Sequence, residues 1–115
     1  KKNFIGKSEN LKLIESLNYV ENVKLMSECL LLISDSGGIQ EEAPTLKKKI
    51  LILRDETERP EVLDCGCGVL VGSDINKIKK EFYNELNSTI DNRFINPFGR
   101  GDSSKKIINK IIKMN

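Results

Sequence analysis

Ser36-Gly37-Gly38 stands between an apolar run, Leu30–Ile33, and a segment of helical composition that starts at Ile39. Glycines let a phosphate approach the backbone, N–H groups at a helix N-terminus point at it, and a serine hydroxyl adds a donor. The same tripeptide also serves as a tight strand-to-helix turn with nothing bound, for it is neither G-x-G-x-x-G nor a Walker loop. Gln40, Glu41 and Glu42 follow. Acids in a first helical turn gain from the helix dipole without any ligand. Adjacent residues on a helix point about 100° apart, so only one of the two acids faces the loop side. A carboxylate beside an anion site cannot bind the anion, but it suits the vicinal hydroxyls of a ribose. The loop Arg54-Asp55-Glu56-Thr57-Glu58-Arg59 supplies positive charge, and a guanidinium grips phosphate bidentately. Arg59, stiffened by Pro60, is better placed than Arg54. The alternative for this loop is a set of surface ion pairs that compensate one another. A phosphate donor and a ribose acceptor a few residues apart together point to a nucleotide.

Composition narrows the chemistry further. The chain has 115 residues, enough for one domain or for a piece of a larger protein. Hydrophobic residues make up 38% and charged ones 31%, which is a globular balance rather than a disordered one. A net charge of +2 is too small to argue for nucleic acid. There is no histidine, which removes Ser-His and Cys-His nucleophile pairs and His-based zinc sites. Cys29, Cys65 and Cys67 are an odd number with one C-x-C pair, which is not a zinc set. They read as small half-buried thiols in a reducing cytosol. The longest apolar run, Cys29–Ile33, falls far short of the ~20 residues that span a bilayer. No signal peptide is visible, and a cytoplasmic protein without membrane contact is expected. The chain opens on Lys1 rather than methionine, which suggests a fragment.

Several elements must position these residues. Leu11–Ile14 reads as a short strand. Tyr19, Val23, Met26 and Leu30 lie at the spacing of one buried helical face. Leu30–Ile33 and Ile50–Leu53 are unalternating apolar runs, the habit of parallel strands buried on both faces. Between them a helix from Ile39 to Leu46 must be short, or bent at Pro44. Pro60 opens a further short helix through Leu63, closed by Cys65-Gly66. A third strand follows at Val69–Gly72. Ser73 or Asp74 then caps a helix with Ile75, Ile78, Phe82 and Leu86 on one side. Asn92 to Asp102 is irregular. A last helix carries Ile107, Ile108, Ile111 and Ile112 on one stripe, expected to dock on the rest of the domain. This β-α alternation predicts a Rossmann-like, doubly wound parallel α/β sheet. Ligands in such sheets sit beyond the carboxyl ends of the strands, so the loops after Ile33 and Leu53 are the ones to watch.

The run SDSGGIQEEAP, Ser34 to Pro44, with LRDETERPE, Leu53 to Glu61, and LVG, Leu70 to Gly72, resembles the C-terminal part of the non-hydrolysing UDP-N-acetylglucosamine 2-epimerases. Weaker similarity reaches back to Tyr19 and forward to Asn96–Gly101. The resemblance implies the C-terminal half of a glycosyltransferase-B-type two-domain enzyme. Residues 1–115 would form a partial C-terminal UDP-binding domain, with the N-terminal domain absent from the chain. It implies an isomerase that interconverts UDP-GlcNAc and UDP-ManNAc by eliminating UDP and adding it back, in the service of polysaccharide biosynthesis. Ser36, Gly37 and Gly38 would hold the diphosphate, Glu42 the ribose hydroxyls and Arg59 the phosphates. The implied base belongs to the missing domain, so no catalytic residue is expected here and the chain alone should be inactive. No cofactor and no metal are implied. The partners would be the UDP-sugar substrate and, for the full-length enzyme, a second copy in a homodimer. Three departures stand out: Asn22 replaces an aromatic residue near the uracil, Lys47 and Lys49 stand where Gly and Pro are usual, and Arg100 replaces a frequent acid. The competing readings are a non-catalytic UDP-sugar-binding module and an epimerase of a modified UDP-HexNAc. The acceptor half of a glycosyltransferase is disfavoured, because the whole match points to the epimerases.

Overall fold

Ile50-Leu51-Ile52 offers no polar side chain to either face of a sheet, and it forms the central strand of the fold. The computed structural model describes residues 9–87 and 95–114. In chain order the elements are α1 (Tyr19–Glu28), β1 (Leu32–Ser34), α2 (Gly37–Thr45), β2 (Ile50–Ile52), α3 (Pro60–Asp64), β3 (Gly68–Leu70), α4 (Ile75–Asn87) and α5 (Ser103–Lys113). The sheet order is β1-β2-β3 and both pairings are parallel, with Leu32 opposite Ile50 and Ile50 opposite Gly68. All three residues of β2 are fully buried. Ala43 of α2, Val62 of α3 and Cys67 close around Ile50 and Ile52, and Leu32, Ile39, Leu63, Leu70 and Phe98 pack against that core. Because the strands are parallel, the loops that leave them all start from one edge, where Ser36 and Arg59 are brought together.

Several expectations hold and others are corrected. α2 runs nine residues and ends one residue after Pro44, so it is short as expected, and the proline removes a single helical bond, the one its N–H would have made to the Gln40 carbonyl. The Leu46 N–H still reaches the Glu42 carbonyl at 3.1 Å. α3 opens on Pro60, and Gly66 beyond it takes a φ of 83°, the left-handed turn that Cys65-Gly66 predicts. Asp74 rather than Ser73 caps α4, with Oδ1 accepting from the N–H groups of Asn76 and Lys77.

Leu11–Ile14 is not a strand. No described strand pairs with it, and Leu11, Leu13 and Ile14 are exposed. Among the described strands β1 bonds only to β2 and is an edge; Ile33 is exposed on it, and β2 alone is buried at every position. On the α1 stripe Met26 is buried, while Tyr19 and Leu30 are exposed. Of the late segment, Phe98 reaches the core and Asn96 Nδ2 donates to Thr45 Oγ1 at 2.9 Å. The α5 stripe does not dock: Ile107, Ile108, Ile111 and Ile112 are each more than half exposed. The part of the irregular segment at residues 92–94 lies outside the described residues. Among the described residues no helix is long and apolar enough to cross a membrane.

Candidate functional site

Ser34 ends β1, and its Oγ accepts the Ser36 N–H at 3.0 Å, which turns the chain into α2. Ser36 is the N-cap of that helix, in extended conformation, and its Oγ accepts from the Ile39 N–H at 3.4 Å. The helix therefore starts at Gly37 rather than at Ile39, and the glycines form its first turn instead of a turn ahead of it. From the neighbouring strand, the Leu53 N–H bonds the Ser34 carbonyl at 3.0 Å, so the charged loop after β2 starts beside the turn after β1.

Arg59 closes over that turn. A Cβ placed on Gly37 would lie 2.5 Å from Arg59 Nη1 and 2.8 Å from Cζ. Glycine is therefore needed at position 37 so that a guanidinium can lie against the first residue of α2. Arg59 Nε donates to Glu41 Oε1 at 2.8 Å, and Nη1 stands 3.6 Å from Glu58 Oε2. The Arg59 side chain is 29% exposed, while Glu41 and Glu58 are 51% and 64% exposed. Ion pairs this solvated contribute about 0–1 kcal/mol, so a better-matched anion can displace them. Arg54 is committed elsewhere, in a two-pronged pair with Glu58 at 3.0 and 2.8 Å. A hydrogen bond at the Glu58 backbone, and then the Arg54 guanidinium, hold the Glu58 carboxyl below its ordinary range. The loop thus follows both readings at once: Arg54 is compensated at the surface, and Arg59 is aimed at the turn.

Ser36, Gly37 and Arg59 meet in one place, with Gly38 adjoining and exposed. Glu42 faces a cleft of about 270 Å³ between α1 and α2, lined also by Tyr19, Val23, Thr45 and Leu46, and Glu41 borders both regions. Asn22 is not among the residues that line that cleft, and its Nδ2 donates to Met26 Sδ at 3.6 Å. A second hollow of about 360 Å³, beyond β2 and β3, holds Arg54, Asp55 and Lys77 but none of the predicted site residues. The residue overlooked is Glu41, the acid that faces Arg59. Its signal is the i, i+4 spacing from Gly37, which puts both on one helix face.

The described strands define a parallel α/β unit of Rossmann-like form, with its charged loops gathered at the strand ends where such sheets take ligands. Residues 2–112 match the family described as UDP-N-acetylglucosamine 2-epimerase, and the chain belongs to that family. The UDP-N-acetylglucosamine 2-epimerase of Neisseria meningitidis serogroup A is 44% identical over a 112-position alignment that covers 90% of this chain and 29% of that protein. The crystal structure of the Methanocaldococcus jannaschii UDP-GlcNAc 2-epimerase in complex with UDP-GlcNAc and UDP superposes with a TM-score of 0.81 at 38% identity, over 91% of this chain and 28% of that one. The Neisseria meningitidis enzyme bound to UDP-GlcNAc superposes with a TM-score of 0.78 at 44% identity, over 91% of this chain and 30% of that one. The fold class is that of these enzymes, a Rossmann-like parallel α/β arrangement of the glycosyltransferase-B type. The chain spans about 30% of the length of the relatives it matches.

Proposed function

We propose that residues 1–115 are the C-terminal UDP-binding portion of a two-domain UDP-GlcNAc 2-epimerase. The observation that carries this reading is the Arg59 guanidinium seated over Gly37 at the start of α2. Ser36, Gly37 and Gly38 hold the diphosphate through the hydroxyl and the first N–H groups of α2, and Arg59 exchanges its carboxylate partners for phosphate oxygens. Glu42 accepts from the ribose hydroxyls. Glu42 lies five steps along the helix from Gly37, roughly 7–8 Å along the axis, a gap that a 5′-diphosphate and its own ribose bridge.

Cleaving the anomeric C–O bond puts negative charge on the departing diphosphate. Donors already fixed around it stabilise that charge as it develops, without reorganising. The same grip keeps UDP in place while it is added back with the opposite configuration at C2. Proton removal at C2 belongs to carboxylates outside this chain, so the chain alone should show no turnover. Under the same reading the full-length protein is a cytoplasmic homodimer whose product serves polysaccharide biosynthesis, and the three free thiols suit a reducing compartment.

Two measurements test the reading. The full-length protein should convert UDP-GlcNAc to UDP-ManNAc, with modified UDP-HexNAc substrates run in parallel to define the sugar. Calorimetric UDP affinity should weaken in both Arg59→Ala and Glu42→Ala, and unchanged affinity in both would sink the site assignment.

A further inference from the structure

Gln40 is fully buried on α2 beside Ala43 and Pro44, a polar side chain in an apolar setting. Its Oε1 accepts a 2.6 Å hydrogen bond from Thr57 Oγ1, and that hydroxyl in turn accepts the Arg59 N–H at 3.0 Å. Gln40 Nε2 is buried without a hydrogen-bond partner. Leaving an amide donor unpaired in the interior is unfavourable, and an apolar side chain of similar volume would avoid it. The two bonds, one spanning 17 residues of sequence and one spanning 2, join the interior of α2 to the backbone of Arg59 in a loop with no regular structure. Arg59 then sits at φ −122°, ψ 69°, just before Pro60, and its side chain lies across Gly37.

From these contacts we propose that Gln40 and Thr57 are positioning residues for Arg59. They fix its backbone so that the guanidinium overlies the α2 N-terminus, and they act on a bound diphosphate only through it. Gln40 has no exposed surface with which to touch a ligand. The inference rests on the UDP-site reading above and adds to it two residues that the chemistry of phosphate binding does not by itself select.

The test is UDP affinity by calorimetry on the full-length protein, with thermal melts of every variant. Thr57→Val should weaken UDP binding about tenfold, by spoiling the aim of a charge-assisted hydrogen bond. Thr57→Ser keeps the hydroxyl and should stay within about twofold of the parent. In an Arg59→Ala background Thr57→Val should have no further effect, the non-additivity expected of two residues acting through one contact. Gln40→Met removes both the acceptor and the unpaired donor at similar volume, and covers the case in which Thr57→Val fails to fold. It should weaken UDP about tenfold while melting no lower than the parent. A lower melting temperature with unchanged affinity in these variants would overturn the proposal in favour of a purely structural role, as would equal losses with and without Arg59. If Arg59→Ala itself leaves affinity unchanged, the UDP-site reading fails and the positioning role falls with it. If Arg59→Ala weakens binding and Thr57→Val and Gln40→Met do not, only the positioning role falls.

Discussion

Alanine at Gly37 is the sharpest probe of the arrangement, because it pushes on the guanidinium without touching its charge. The new methyl would stand 2.5 Å from Arg59 Nη1, 2.8 Å from Cζ and 3.0 Å from Nη2. Ordinary contact needs about 3.4 Å, so the end of the arginine must withdraw by about 0.9 Å. The folding terms nearly cancel. Alanine is favoured over glycine in a helix by up to about 1 kcal/mol, and the solvent-exposed Glu41 pair that is disturbed contributes about 0–1 kcal/mol. The melting temperature of the full-length protein should therefore barely move. A hydrogen bond to a charged group contributes about 1.5–3 kcal/mol, and misaiming it by most of an ångström should lose roughly half of that, which weakens the Kd for UDP about four- to twelvefold. Titration calorimetry with UDP, read beside a thermal melt, separates the two effects. Parent-like affinity in Gly37→Ala would refute the claim that the guanidinium must lie against the start of α2. A large fall in stability would refute the claim that the conflict is confined to a flexible side-chain end.

Three further predictions concern the frame. Lys47 holds a φ of 58°, a region that a side chain disfavours by roughly 1–2 kcal/mol, so Lys47→Gly should raise the unfolding free energy by about 1 kcal/mol, read as a higher denaturation midpoint at unchanged m-value. A Cβ at Gly68 would meet Val62 Cγ1 at 2.5 Å and Ile52 Cδ1 at 3.0 Å inside the core, so Gly68→Ala should destabilise by about 1–3 kcal/mol and adding Val62→Ala should recover part of it. Burial, and then the neighbouring Cys65, push the Cys67 thiol from an ordinary 9.0 up to about 12. Because the folded value is the higher one, its contribution to stability is complete below pH 9 and declines as pH rises towards 12. A maleimide at pH 8 should leave Cys67 unlabelled until denaturant is added, and labelling in the native protein would contradict that burial.

The parts of the fold that could be read from residues alone are those in which one stretch of chain settles its own state. Ile50–Ile52 has only apolar side chains and must be central, and Ser36-Gly37-Gly38 and Pro60 carry their turn and helix-start chemistry with them. Leu11–Ile14 looks no different in composition from a strand, yet a strand exists only where another offers a ladder, and none of the described strands does. Ile33 is exposed on β1, which is an edge among the described strands. Within the site, Arg59 was legible from its charge and its proline. Choosing between Glu41 and Glu42 required the phase of α2, and that phase depends on the helix starting at Gly37 rather than Ile39. The Gln40–Thr57 bond was out of reach, because no local pattern marks a contact 17 residues apart.

Glu41 has one more consequence. It is a competitor tethered to the same helix as the site it competes for, and a short tether holds such a group at an effective concentration of the order of millimolar or above. On the proposed UDP reading, a diphosphate arriving at Arg59 would swap one oxyanion for another instead of meeting a bare charge. A diphosphate that leaves is replaced at once. Salt screens the outgoing carboxylate and the incoming phosphate alike, so the affinity should depend on ionic strength less than the charges suggest. On the proposed UDP reading, residence time is shortened by the same device, because the tethered carboxylate competes for Arg59 at every partial release.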